Sequence, residues 1–293
     1  MKLDLESNKM ERRTHLVVVD TFCPTGEIAS TLQALSSDST HISVLVLGLA
    51  PEMPISTYSA SSYGAYAIPA AWQEAYNTQN KVTAARAEDV EKILQDAGIA
   101  GDVVTAFCEM PRIEEAIAAR AALCDLTILS GQVITSGDIL KQALDGILFR
   151  SPVAAVVNNT DQAFTGSAKH PFIAWSGDLP ATRAVHHALP VLLEAKEVTV
   201  AVFDPVMRDH ADGDNPGSDV ATWLSRHGCK VNVQQYPSGG KEIGDCIVER
   251  ATEVGSDLVV MGAYGHSRLR QRIFGGTTRT LLEQTKLPVL FAH

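Results

Sequence analysis

The feature that most constrains this chain is that its second half repeats its first. A shift of 130 places Val90 on Val220, Leu94 on Leu224, Gly98 on Gly228 and Val103 on Val233. The same shift places Ile113 on Ile243, Ile117 on Ile247, Arg120 on Arg250 and Ala121 on Ala251. Ahead of that block, "HLVVVD" (15–20) matches "PFIAWS" (171–176) at a shift of 156. After it, "CDLTIL" (124–129) matches "SDLVVM" (256–261) at 132, and "SPVAAVV" matches "LPVLFAH" at 136. Self-similarity of this kind implies two copies of one fold, expected at residues 12–158 and 169–293 with a polar linker between Asn158 and Lys169. The fall from 156 to 130 gives the first copy 26 extra residues, and Ser56–Asn80, rich in Ser, Ala and Tyr, is the insertion. The rise from 132 to 136 leaves the first copy four residues short between its fourth and fifth strands.

Within each copy, short apolar runs alternate with helical patterns. In the second copy "FIAW", "VTVAVF", "KVNVQQY", "DLVVMG" and "PVLFAH" read as strands. Helices are expected over "LPATRAVHHALPVLLEA", "SDVATWLSRHG" (with a Ser N-cap and a Gly stop) and "KEIGDCIVERATEVG". The last of these places Ile243, Ile247, Ala251 and Val254 on one face. Unbroken apolar strands are those of a parallel sheet covered on both sides. The fold class is therefore α/β, two tandem doubly wound parallel sheets, with ligands expected where the strands end.

Composition excludes several functions. A formal charge of −10 argues against general nucleic-acid binding. No apolar run is long enough to span a bilayer, and the charged stretch Met1–Arg13 has no apolar core, so no signal peptide is expected and the cytoplasm is the expected compartment. The five cysteines, Cys23, Cys108, Cys124, Cys229 and Cys246, show no metal-ligand spacing and are expected as reduced, mostly packed thiols. "DHADGDNPGSD" (209–219) has Asp212 and Asp214 but Pro216 at the third ligand position, so a solvated acidic loop is expected there rather than a calcium site. His186 and His187 read as a helix-surface pair.

The remaining candidate is "MGAYGHSRLRQRIFGGTTRT" (261–280). Gly262 and Gly265 follow the fourth strand, Gly275 comes nine residues after Gly265, and a helix is predicted from about Gly276. Glycines allow close approach of backbone to an anion, and a helix start offers unpaired N–H groups and partial positive charge. Thr277 or Thr278 adds a hydroxyl, and Arg268 or Arg270 a charged contact. Tyr264 is expected to pack under the loop; His266 faces phosphate or solvent. The stretch is neither of the common phosphate signatures: "SGGK" (238–241) has Gln235 where the first Walker glycine belongs, and no GxGxxG follows a strand.

The segment "DLVVMGAYGHSRLRQRIFGGTTRTLL…LPVLFAH" resembles the C-terminal signature of the universal stress protein family, and the two-copy chain resembles that family's tandem-domain bacterial members. The resemblance covers residues 12–293, most specifically 255–293 and least over 56–80. It implies Rossmann-like, adenine-nucleotide α-hydrolase-like domains and ATP, with Mg2+ as its companion, bound in the second copy. It assigns Gly262, Gly265 and Gly275 to the ribose and phosphates, with His266, Arg268, Gly276, Thr277, Ser176 and Val202 completing the set. Two positions depart from the family pattern: Gly276 stands where Ser or Thr follows the last glycine, and Ser176 stands where an Asp ends the first strand, with Asp178 two residues on. The first copy keeps that Asp as Asp20 but lacks the glycine spacing in "SGQVITSGDILKQALDG", so nucleotide is not expected there. With no positioned base, and only Asp178 and Asp204 as metal-ligand candidates, efficient catalysis is not expected. The resemblance implies a nucleotide-dependent stress sensor or regulator. The alternatives are an interaction module without nucleotide, whose insertion contacts partners or covers a cleft, and, last, a slow ATPase. The terminal strands "PVAAVV" and "PVLFAH" are expected to pair, making the two copies an internal pseudo-dimer and leaving room for a homodimer.

Overall fold

The computed structural model describes residues 12–53, 68–130, 133, 136–157, 164–205, 215–264, 275–284 and 286–293. The first half runs β1 (Arg13–Asp20), α1 (Thr25–Leu35), β2 (Thr40–Leu49), α2 (Ala70–Asp96), β3 (Gly101–Cys108), a 3-10 turn (Met110–Arg112), α3 (Ile113–Ala121), β4 (Leu126–Leu129), α4 (Gly137–Arg150) and β5 (Ala154–Val157). The second runs β6 (Pro171–Ala174), α5 (Leu179–Glu194), β7 (Val198–Phe203), α6 (Ser218–Arg226), β8 (Val231–Tyr236), α7 (Ile243–Glu253), β9 (Leu258–Gly262), α8 (Gly276–Glu283) and β10 (Val289–Ala292).

All ten strands form one sheet in the order β3-β2-β1-β4-β5-β10-β9-β6-β7-β8. Each half contributes five strands in the same relative order, parallel throughout. The halves meet where β5 and β10 pair antiparallel, Val157 opposite Val289, Val156 opposite Leu290 and Ala155 opposite Phe291. The two last strands thus cover each other's edges. They read as unbroken apolar runs because both faces are covered: every residue of β5 and β10 is buried. Each Val, Leu or Phe among them contributes about 1.5–3 kcal/mol by leaving water.

The period-2 alternation of the strands sorts the core into two clusters, each spanning both halves. On one face Leu16, Val18 and Val157 pack with Phe172, Val259 and Phe291 beneath α3, α4, α7 and α8. On the other, Val17, Val19 and Val156 pack with Ile173, Val200 and Leu290 beneath α1, α2, α5 and α6.

The ladders confirm most of the internal offsets and correct one. Val17 pairs with Val44 as Ile173 pairs with Val200, so the 156 shift holds through the second strands. Val44 pairs with Val103 as Val200 pairs with Val233, so the extra residues lie between second and third strands. At the end, Thr127 pairs with Ala155 whereas Val259 pairs with Val289, which makes the last offset 134 rather than 136. A slip of two keeps every side chain on its face, so the apolar pattern alone could not detect it.

Two local expectations also change. The N-cap of α6 is Gly217 (φ 89°), not Ser218, which is the first helical residue. The close approach of Gly217 to β7 and β8 decides this: a Cβ there would lie 3.0 Å from Val202 Cγ2. Val254 lies beyond the end of α7 and is exposed, and the buried face of that helix is instead Gly244, Cys246, Ile247, Val248 and Ala251. Part of the insertion (54–67) lies outside the described residues; its remainder lengthens α2 to 27 residues, with Tyr76 against Phe107 at 4.9 Å and Trp72 Nε1 donating to Pro51 O. Cys23, Cys229 and Cys246 are buried, Cys108 and Cys124 half-buried, and none is in a disulfide. Among the described residues no helix is long and apolar enough to cross a membrane.

Candidate functional site

The strands of the second half end together at one edge of the sheet, and most of the described candidate residues collect there. Gly262 closes β9. A Cβ at this position would lie 2.5 Å from Ala181 N and 2.6 Å from Pro180 C, so the first turn of α5 packs directly on its backbone. That contact requires glycine whether or not a ligand is present. Asp178 caps the same helix, its Oδ1 accepting from Ala181 N at 2.9 Å. It is therefore an N-cap of ordinary kind and is engaged by its own helix. Ser176 is exposed between Trp175 and Gly177, and the buried Nε1–H of Trp175 has no partner among the described residues. Val202 is buried, its side chain under Gly217. Asp204, with a φ of 44°, accepts from Ser238 N at 2.8 Å, and the Ser238 hydrogen bonds hold its carboxyl below the usual range.

Helix α8 points its N-terminus at this edge. It starts at Gly276 as the glycine pattern predicts, with Gly275 as an N-cap that offers no side-chain acceptor. Nothing lies within 4 Å of a Cβ built on Gly275; at Gly276 the nearest group is Glu242 Oε2, at 3.7 Å. Unlike Gly262, neither glycine is pressed against backbone among the described residues. Thr277 is half-buried and Thr278 buried. Arg279 is turned along its own helix to Glu283 (Nε to Oε1, 2.7 Å). Gly265, His266, Arg268, Arg270 and Arg272 lie outside the described residues, as do Asp212 and Asp214. No group of three or more potential metal ligands occurs among the described residues.

The same edge of the first half is built differently. Asp20, the counterpart of Ser176, turns its Oδ1 onto Phe22 N (2.9 Å) and Cys23 N (2.8 Å). Burial pushes its carboxyl up, opposed by those amides and by Arg86. Arg86, carried by the lengthened α2, donates to Thr21 O and Thr25 Oγ1 at 3.0 Å each. The register makes Gln142 the counterpart of Gly276, yet α4 already begins at Gly137, so about one extra helical turn stands where the second half has its glycine-rich segment.

Tyr264 is placed at this edge as the sequence expects, but its partners in the first half, and the contact of Arg183 with His293, are not legible there. Tyr264, two residues past β9, has a φ of 63° and packs on Phe149 of α4 and on His293, with ring centroids 4.9 and 6.0 Å away. Asp145, also on α4, is near enough that, after burial, its carboxylate pushes the tyrosine's pKa up. Arg183 of α5 donates to His293 O at 2.7 Å, and His293 Nδ1 meets Ala263 O at 3.0 Å. The signal for this cluster in the sequence is the aromatic Tyr264; its first-half partners, Asp145 and Phe149, lie over a hundred residues away.

Doubly wound halves with a glycine-led helix after the fourth strand define a Rossmann-like α/β class. Residues 173–293 match the Universal stress protein family. The match spans the second half of the chain alone. A universal stress protein of Synechocystis sp. is 37% identical over 67 residues, a match that spans 23% of this chain and only 22% of the relative's own length. The chain is similar in fold to a universal stress protein from Archaeoglobus fulgidus DSM 4304, at 15% identity and TM-score 0.64 with 97% of each chain covered. It is likewise similar to a protein of unknown function from Pseudomonas aeruginosa PAO1, at 15% identity and TM-score 0.55 over 98% of this chain and 94% of that one.

Proposed function

We propose that the chain is a nucleotide-responsive stress regulator that binds an adenine nucleotide, ATP with Mg2+, at the second-half edge and not at the first. The observation that carries this reading is the start of α8: a helix N-terminus with no side-chain cap among the described residues, led by two exposed glycines, at the edge where parallel strands end. Free N–H groups and a converging dipole favour a phosphate there, and Thr277 adjoins them. Gly262 serves the reading indirectly, by holding α5 against β9. In the first half Arg86 and the longer α4 fill the corresponding space. Titration calorimetry with MgATP tests the reading. Saturable heat in the wild type, lost in Gly276→Glu with an unchanged melting temperature of the free protein, is the expected result. No heat at millimolar MgATP removes the reading.

One observation favours the alternative of an interaction module without nucleotide. The Glu242 carboxylate lies near Gly276, where it complements the helix dipole itself and repels phosphate. Under that alternative Glu242→Gln leaves the wild type's lack of binding unchanged; under the nucleotide reading it tightens MgATP.

A further inference from the structure

The contact of Tyr264 with the first half has no counterpart in the roles discussed above. Asp145 is 3% exposed on the buried side of α4, with Lys141 Nζ at 3.0 Å from its Oδ2. A carboxylate so buried is held in place only by its partners. Beside it, Tyr264 belongs to the other half of the chain, and its ring packs in a three-ring cluster with Phe149 and His293. Tyr264 also sits in the left-handed region, a conformation a bulky residue keeps only when its surroundings fix it. The backbone it fixes is the exit of β9, whose Ala263 N–H donates to Ala292 O at 2.8 Å.

We propose that the first half, which does not itself bind nucleotide, is a positioning partner for the second-half site: Asp145 and Phe149 on α4 hold Tyr264, and through it the chain leaving β9. This rests on the nucleotide reading of that edge, but the positioning contact can be tested without nucleotide. It gives a reason for the two halves to remain fused in one sheet. The first half supplies an aromatic and ionic support on the side of β10 that the second half lacks on its own. Tyr264, Asp145 and Phe149 touch no ligand in this scheme; they act through the backbone at 263–264.

The experiment uses the full chain as Tyr264→Phe, Asp145→Asn and the double variant. Hydrogen exchange on peptides covering 258–264, without nucleotide, is expected to quicken about tenfold in either single variant, as the buried Tyr264–Asp145 polar contact is lost. The double variant is expected to be no faster than the singles. MgATP affinity should fall about five- to tenfold, with exchange in the first-half strands unchanged. Unaltered exchange at 258–264 overturns the positioning role whatever the nucleotide result. Quickened exchange with no MgATP binding in the wild type retains the contact but removes the nucleotide reading and the role built on it. Quickened exchange with wild-type affinity in both single variants also overturns the proposal, because the support then does not reach the site. Should Asp145→Asn fail to fold, Phe149→Leu provides the same readouts from the ring side.

Discussion

His15 makes stability depend on pH in a way that can be calculated and removed. It lies in β1 at 5% exposure, its Nδ1 has no hydrogen-bond partner among the described residues, and Gly166 of the inter-half connection passes over its ring. Burial first, then Arg13, lower its pKa to about 4 from 6.5, and Asp125 opposes them only in part. The unfolded chain therefore takes up a proton on His15 below pH 6.5 that the folded chain refuses until about pH 4. Stability is intact above pH 6.5 and falls as pH drops through that window, by about 1.4 kcal/mol per unit and about 3 kcal/mol in all. Between pH 7.5 and 5.0 the loss attributable to His15 is about 2 kcal/mol. With a urea slope of about 3 kcal/mol per molar for a chain of this size, the midpoint moves by about 0.7 M. His15→Gln does not titrate, so its midpoint should move about 0.7 M less than the wild type over the same interval. Every carboxylate and the other shifted imidazole, His187, are common to both proteins and cancel in that difference. Parallel pH profiles for wild type and His15→Gln would refute the reasoning, because they would mean that the buried ring charges without cost.

Three further outcomes are expected. Gly262→Ala should lower the melting temperature, since its Cβ meets backbone of Pro180 and Ala181 rather than a side chain that can swing away; about 2 kcal/mol is expected, read by calorimetry. Asp178→Ala should cost about 1 kcal/mol through loss of the α5 cap, in a thermal melt, while MgATP affinity stays the same. Val156→Asp buries a carboxylate at the centre of the shared sheet and should unfold both halves in a single transition. Limited proteolysis that releases one folded half from that variant would contradict it.

Much of the architecture could be read from the sequence because it rests on periodicity. Unbroken runs such as "DLVVMG" and "PVLFAH" report burial on both faces, and the changing shift between copies pointed to an insertion at Ser56–Asn80, which the ladders place between the second and third strands. Apolar period is silent on anything that preserves it. The two-residue slip at β5 and the exchange of Ser218 for Gly217 as a cap both keep the same faces buried, and each is settled by how closely two backbones approach. The candidate site was less legible for the same reason. Gly262, Gly275 and Gly276 look alike in the sequence, yet the first is demanded by α5 and the other two are pressed against no backbone among the described residues.

The difference between the halves follows from where residues were gained and lost. The insertion lengthens α2, and its continuation carries Arg86 to the loop after β1, where Asp20 already accepts two backbone amides. The shorter segment after β4 lets α4 begin early, which removes the first-half glycine cradle and extends the helix that supports Tyr264. The same helix therefore replaces one site and supports the other. The antiparallel β5–β10 pairing makes this geometry available. It turns one half over relative to the other, so that the C-terminal end of α4, remote from its own half's ligand edge, arrives at the ligand edge of its neighbour. If the second-half site were self-sufficient, Asp145 would be a buried carboxylate retained at a cost with nothing gained. Its replacement by Leu would then stabilise the chain and leave nucleotide affinity untouched. The coupling argued above requires instead that Asp145→Leu weaken binding even where it raises the melting temperature.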